Sequence, residues 1–358
     1  MCGQRRVVRV RWLLRLGRSM PVTRTAVARL AAWALASMLL ASAAGAHEGW
    51  GIVRDSLGRL YIADIPANTV WRIDRSGRLE AVIRDVHSHA LVIGADGAVY
   101  GTHVHLTEPV SGVWRLDLSG KRTSLVEPSR ALPISLQPFL IAGDGSVYSS
   151  SIFQYSRAPE ARELYLLRRS PGGVFYTVAG GLTGRADGNG AAARFESIDG
   201  MAWLPDSAIL LVDGARLRRV DRNGVVHSLT PDLTTRRWDE DLMGVSVSAD
   251  SSMYVADFSG RQVLRVRDGE PAILARTRWL WAPTGVTHTS DGVYTLEHLR
   301  APLGILGDLR VGPYLRVRHI AGDGRTRVVA RRWGDRTGLA ALVAGSVSGL
   351  LLLIARRR

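Results

Sequence analysis

Cysteine is nearly missing from this chain. Cys2 is the only one in 358 residues, and it lies in a stretch that reads as removable. Disulfides, catalytic thiols and cysteine-ligated metals are therefore excluded from the mature protein. Lysine is as scarce, with Lys121 alone among 47 basic residues. A basic stripe is missing too, although the formal charge is +15. Residues 1–29 hold eight arginines and no acid, and residues 331–358 hold six arginines and one aspartate. Removing those +8 and +5 from +15 leaves +2 for residues 30–330, whose arginines are scattered. The sequence thus gives no footprint for nucleic acid, and none is expected as a partner. Helical periodicity of useful length is also lacking between Gly49 and Ala330.

What is present begins with the two ends. After the basic stretch comes "LAAWALASMLLASAAGA", an apolar run ending in Ala44-Gly45-Ala46. Small residues at those places are what a signal peptidase reads, so residues 1–46 are expected to be a signal peptide. The other end is "GLAALVAGSVSGLLLLIA" followed by Arg356-Arg357-Arg358. Its 18 uncharged residues would span roughly 27 Å as a helix, close to the hydrocarbon thickness of a bilayer. A terminal basic cluster favours the cytoplasmic side. The expected organisation is a signal peptide at 1–46, a folded domain at 47–330, a basic spacer at 331–337 and a transmembrane anchor at 338–358. The domain would then stand outside the cytoplasm, held to a bacterial cell envelope.

The middle of the chain repeats. A small residue, an alternating apolar run, an Asp/Gly/Ser turn and a second run recur six times. Examples are "GIVRDSLGRLYIAD" from Gly51, "ALVIGADGAVYGTH" from Ala90 and "GVSVSADSSMYVAD" from Gly244. The second runs are anchored at Tyr61, Tyr100, Tyr148, Leu210, Tyr254 and Tyr294. Period-two alternation around a tight polar turn reads as a β-hairpin. A third run follows, such as "VWRID" at Val70 or "LRVRH" at Leu315, and then a glycine turn and a fourth. Four antiparallel strands, six times over, predict an all-β fold, a six-bladed β-propeller.

One stretch stands apart: "VAGGLTGRADGNGAAARFESIDGMAW", Val178 to Trp203. It resembles the linker of NHL-repeat propellers in Ala179-Gly180, Asp187-Gly188-Asn189-Gly190, Ala193-Arg194-Phe195 and Gly200-Met201-Ala202. It lacks the acidic spacing of a calcium loop and the lysine of a phosphate loop, so an architectural role is expected. The resemblance also implies that aspartates three residues after the anchors (Asp64, Asp213 and Asp257) tie down neighbouring loops.

Propellers place ligands at one face, where inner strands begin and second strands end. Ahead of the six inner strands stand Trp50, His89, Gln137, Asp199, Met243 and Thr284. Blade two is unusual. His89 and His103 each lie seven residues from Asp96 in the turn, and His87 and His105 each lie nine away. Antiparallel pairing would set His89 beside His103 and His87 beside His105, all with one orientation. Four imidazoles at a mouth suit a transition metal such as zinc, or acid–base work. With Gln137, Asp199 and Glu297 expected across the opening, these residues form the candidate ligand site. His89, His103, Asp199 and Glu48 form the candidate metal set.

The domain's first stretch, "HEGWGIVRDSLGRLYIADIPANTVWRIDRSGR", resembles the SMP-30/gluconolactonase family. That resemblance implies a six-bladed propeller that hydrolyses lactones around a central divalent metal. Its ligand positions would fall on Glu48, on Asp199 in place of an asparagine, and on Met243 in place of an aspartate. Its substrate-contacting asparagine would fall on Gln137. Two functions follow as expectations. One is an envelope-anchored module binding a protein, peptide or glycan. The other is a zinc- or calcium-dependent hydrolase or lyase working at the mouth.

Overall fold

The structure is a computed structural model that describes residues 49–105, 110–129, 138–154, 162–234, 242–278, 280–299 and 313–333. The chain divides into two units. One, Met1–Ala44 with Leu342–Arg358, lies outside the described residues, as do both terminal runs identified in the sequence. No helix among the described residues is long and apolar enough to cross a membrane.

The other unit is a six-bladed β-propeller. Blade one is β1 (Ile52–Arg54), β2 (Leu60–Asp64), β3 (Thr69–Ile73) and β4 (Leu79–Arg84). Blade two is β5 (Leu91–Ile93), β6 (Val99–His105), β7 (Val110–Leu116) and β8 (Arg122–Ser129). Blade three is β9 (Phe139–Ile141), β10 (Val147–Gln154), β11 (Arg162–Arg169) and β12 (Phe175–Leu182). Blade four is β14 (Gly200–Trp203), β15 (Ile209–Asp213), β16 (Arg216–Val220) and β17 (Val225–Ser228), with the short β13 (Gly188–Asn189) added outside β17. Blade five is β18 (Leu242–Val247), β19 (Met253–Asp257), β20 (Gln262–Arg267) and β21 (Glu270–Arg276). Blade six is β22 (Trp281–Thr289), β23 (Gly292–Leu299), β24 (Pro313–Ile320) and β25 (Thr326–Trp333). Every neighbouring pair is antiparallel, and all six anchors fall on second strands. The final strand runs to Trp333, past Ala330 and into the segment read as a spacer.

The core lies between blades rather than within them, because each sheet is one layer thick. Ile52, Leu60 and Ile62 of blade one pack with Leu296, Leu315 and Val317 of blade six. Each blade comes from one continuous stretch, so among the described residues the ring closes without an exchanged strand. Closure rests on that apolar cluster and on specific bonds. Tyr314 Oη donates to Asp64 Oδ2 at 2.7 Å, Thr284 Oγ1 donates to the Gly49 carbonyl at 2.9 Å, and Arg54 pairs with Asp291 at 2.5 Å.

The glycine that opens most inner strands has a steric cause. A Cβ on Gly285 would stand 2.0 Å from the Trp50 carbonyl oxygen, and one on Gly200 would stand 2.4 Å from that of Met243. Adjacent inner strands approach backbone to backbone at the mouth, and only hydrogen fits there.

The glycine-rich stretch is architecture, as expected. β13 extends the sheet of blade four, and the buried Arg218 bolts the loop down. Its guanidinium donates to the carbonyls of Arg194 and Ala186 (2.6 and 2.7 Å) and pairs with Asp187 (2.7 Å) and Asp213 (2.8 Å). It also lies over the Phe195 ring. Nothing about "LRRVD" in the sequence marks this arginine, because its neighbours on the strand look the same.

Candidate functional site

The aspartates after the second-strand anchors do tie down loops. Asp64 accepts from Trp71 Nε1 (3.0 Å) and from Ala67 N (3.2 Å). Asp213 accepts from the amides of Glu196 and Ser197 (2.7 and 3.0 Å). Asp257 accepts from Gly260 N and Gln262 Nε2, both at 2.7 Å. Burial pushes the Asp64 carboxyl above the ordinary carboxylate range, against the bonds from Tyr314 and Trp71.

Glu297, expected at the ligand site, occupies the same position in blade six and is likewise tied to its neighbours. Its fully buried carboxylate is clamped by Arg316 (Nε and Nη2 both 2.6 Å) and Arg318 (Nε 2.8 Å) on β24. These arginines stand two apart in "LRVRH", on one face of the strand. The spacing alone did not reveal this, because Arg265 and Arg267 stand equally spaced on β20 and are exposed; burial is what makes a counter-charge necessary.

Blade two departs from its neighbours because His103 replaces the aspartate. In blade one the Trp71 indole N–H bonds that aspartate. In blade two the equivalent Trp114 turns to Ser88 Oγ and the Thr102 carbonyl, both at 3.1 Å. Ser88 in turn donates to the Thr102 carbonyl. This fixes the segment His87-Ser88-His89 ahead of β5, with both imidazoles buried. The His89 carbonyl accepts from Trp50 N (2.9 Å) and Gly51 N (2.8 Å), joining blades one and two. The Trp50 ring lies 5.2 Å from the His89 ring. Trp50 also packs against the cluster containing Met243, Ala282 and Val286, so it bridges the centre of the ring.

The expected histidine pairing is only partly realised. The ladder of β5 and β6 has the anticipated register, with Leu91 opposite Gly101. It stops before the histidines. His87 and His89 instead bond each other, Nε2 to Nε2 at 2.8 Å, with ring centroids 4.7 Å apart. His103 Nδ1 lies 3.4 Å from the His87 amide. The side chain of His105, and the whole of Gln137 and Glu48, lie outside the described residues.

The His87–His89 contact is not that of two ligands sharing one zinc. Two nitrogens on one tetrahedral zinc, each about 2.0–2.1 Å from it, stand about 3.3 Å apart. The observed 2.8 Å is a hydrogen bond with a proton between the rings. Asp199 is partly exposed at the start of blade four and accepts from Ser197 Oγ, which is itself held by Gly214 N (2.9 Å). The apolar Met243 is buried where the resemblance asks for an aspartate. Among the described residues no three His, Cys, Asp or Glu side chains converge as a metal group. The pair can nevertheless pass or share a proton, one ring donating and the other accepting. Protonating both at Nε2 would oppose two N–H groups and break the bond.

Thr284 was named in the sequence only for its place ahead of an inner strand. Its hydroxyl proton goes to the Gly49 carbonyl, so it accepts from His298 Nδ1–H at 3.1 Å. That leaves His298 Nε2 bare and buried. Burial alone pushes the His298 pKa down to about 3.

No protein-family model matches this sequence, and no curated protein does. Solved structures do share its architecture. One, described as a putative gluconolactonase, is 15% identical, with 69% of this chain and 85% of that chain covered and a TM-score of 0.51. Another, a gluconolactonase from Xanthomonas campestris, is 13% identical, with 70% and 83% covered and a TM-score of 0.50. At such identities the likeness is one of fold. The fold is that of the gluconolactonase-like six-bladed propellers, in agreement with the resemblance in the first blade. Chemistry has to be argued from the residues.

Proposed function

We propose that this protein is an exported binding module, held in a bacterial envelope membrane by its C-terminal apolar run, with the propeller outside the cytoplasm. Its ligand is a peptide or glycan of that envelope, received at the mouth beside blade two. The observation that carries the reading is the buried His87–His89 hydrogen bond beneath Trp50. An imidazole pair packed against an indole brings titratable and apolar chemistry together at one point of the mouth. The same bond argues against the metal-dependent hydrolase or lyase reading, which the gluconolactonase-like fold supports by analogy alone.

The test uses the full-length protein purified in detergent. Murein fragments, which carry both peptide and glycan, are titrated while the imidazole proton resonances are followed by NMR. The resonances of His87 and His89 are expected to move saturably. No movement with any fragment overturns the binding reading. A stoichiometric zinc or calcium ion, lost in His89→Ala and His103→Ala, replaces it with the metal enzyme. Protease treatment of intact and broken cells tests the topology, and a propeller cut only after breakage defeats it.

A further inference from the structure

The face opposite the mouth carries a second feature. A cavity of about 860 Å³ opens between blades three and four. It is bounded by hairpin turns, including Ala142-Gly143 and Leu204–Ser207, which lie at the far ends of the inner strands. Its volume falls in the range of small-molecule sites.

Its walls are unlike the corresponding surfaces of the other blades. On blade three, Tyr148 stands opposite Arg168, and Arg168 opposite Tyr176, in one cross-strand row. Directly opposed residues in a sheet lie about 5 Å apart on one face. The equivalent rows are Tyr61–Arg72–Glu80, Tyr100–Arg115–Thr123, Leu210–Arg219–His227, Tyr254–Arg265–Ala272 and Tyr294–His319–Arg327. Among these rows only that of blade three ends with a tyrosine, and Tyr176 is 52% exposed. Trp203 meets the row from blade four, edge-on to Tyr148 with centroids 5.4 Å apart. Its indole N–H is fixed on the Ile141 carbonyl at 3.1 Å, so the ring is held rigidly.

The polar groups point to what such a cavity receives. Tyr61, Tyr100 and Tyr294 each donate their hydroxyl to a hairpin aspartate. Among the described residues Tyr148 makes no such bond, and Asp144 accepts from Ser146 and Arg168. Arg168 spends Nε and Nη2 on Ser146 and Asp144, which leaves Nη1 as a donor without a protein partner among the described residues. Arg222 adds a second, exposed guanidinium, held by a single bond to the Asp206 carbonyl.

We infer that this cavity is a binding site for a short acidic saccharide. Three aromatic rings offer flat surfaces to the C–H faces of sugar rings. The free phenol can donate to or accept from ring hydroxyls, and the two guanidiniums suit a carboxylate. An uncharged apolar ligand would make no use of the Arg222 guanidinium or of Arg168 Nη1. The site is separate from the mouth and stands or falls independently of it.

A trimer of galacturonate is the probe, titrated calorimetrically into the full-length protein, with its methyl ester as the neutral comparison. The acid trimer is expected to bind saturably, and the ester at least ~tenfold more weakly. Arg222→Ala and Tyr176→Ala, both at exposed positions, should each weaken the acid trimer by ~tenfold. Tyr148→Phe, which removes only the hydroxyl, should weaken it several-fold, and His89→Gln at the mouth should not. The inference is overturned by a lack of saturable binding up to about 10 mM. Equal affinity for the ester, no effect of the three cavity variants, or preference for a nucleoside monophosphate would overturn it as well.

Discussion

Tyr314 on the last blade donates its hydroxyl to the buried carboxylate of Asp64 on the first, across the seam where the ring closes. With no strand exchanged between these blades among the described residues, that bond helps to hold the seam. Tyr314→Phe keeps the ring in the apolar cluster and removes only the hydroxyl. We expect a loss of about 1–3 kcal/mol in urea unfolding, while Tyr176→Phe on the exposed edge should change little.

Arg218 is the buried cation that links the glycine-rich loop to blade four, beside the β13–β17 pairing and the bonds to Asp213. Removing it would leave Asp213 as a buried carboxylate facing no cation. Arg218→Met should therefore cost about 3–5 kcal/mol, and the loop should become the first site of proteolysis. Asp187→Asn, at the exposed end of the same network, should cost less than about 1 kcal/mol. Equal effects would refute this division of roles.

His298 predicts a pH dependence. Its folded-state pKa of about 3 lies below the ordinary 6.5 because the ring is desolvated. Between those values the unfolded chain binds a proton that the folded ring refuses. Stability contributed by this residue is therefore whole above about pH 6.5 and falls as the pH drops toward 3, by on the order of 1 kcal/mol per pH unit. His298→Asn retains a donor for Thr284 and removes the titration. The wild type should lose stability faster than this variant between pH 6 and 4, and parallel curves would contradict the assignment.

Gly285 tests the close approach at the mouth. A methyl group there would strike the Trp50 carbonyl oxygen at 2.0 Å. Gly285→Ala should cost about 3 kcal/mol and broaden the unfolding transition by loosening the seam. Gly322→Ala, where an added carbon meets nothing within 4 Å, should stay within about 0.5 kcal/mol. Comparable losses in the two variants would show that ring closure tolerates displacement.

Alternation, turn residues and a sixfold recurrence were enough to read the propeller from the sequence, because each hairpin is a local object whose strands neighbour one another in the chain. The loop-tying aspartates and the role of the glycine-rich linker were expected from the resemblance to NHL-repeat propellers. Side-chain partnership was settled elsewhere. That His89 met His87 depended on where the β5–β6 ladder stopped and on the turn of Trp114 toward Ser88. Whether Glu297 faced a ligand depended on Arg316 and Arg318, which reach it from a strand beyond the segment 300–312. The aromatic row facing Trp203 needed two blades to be brought together. Backbone periodicity is written residue by residue, but the charge, proton or ring that a side chain meets is chosen by packing between sheets, and only the closed ring makes that choice.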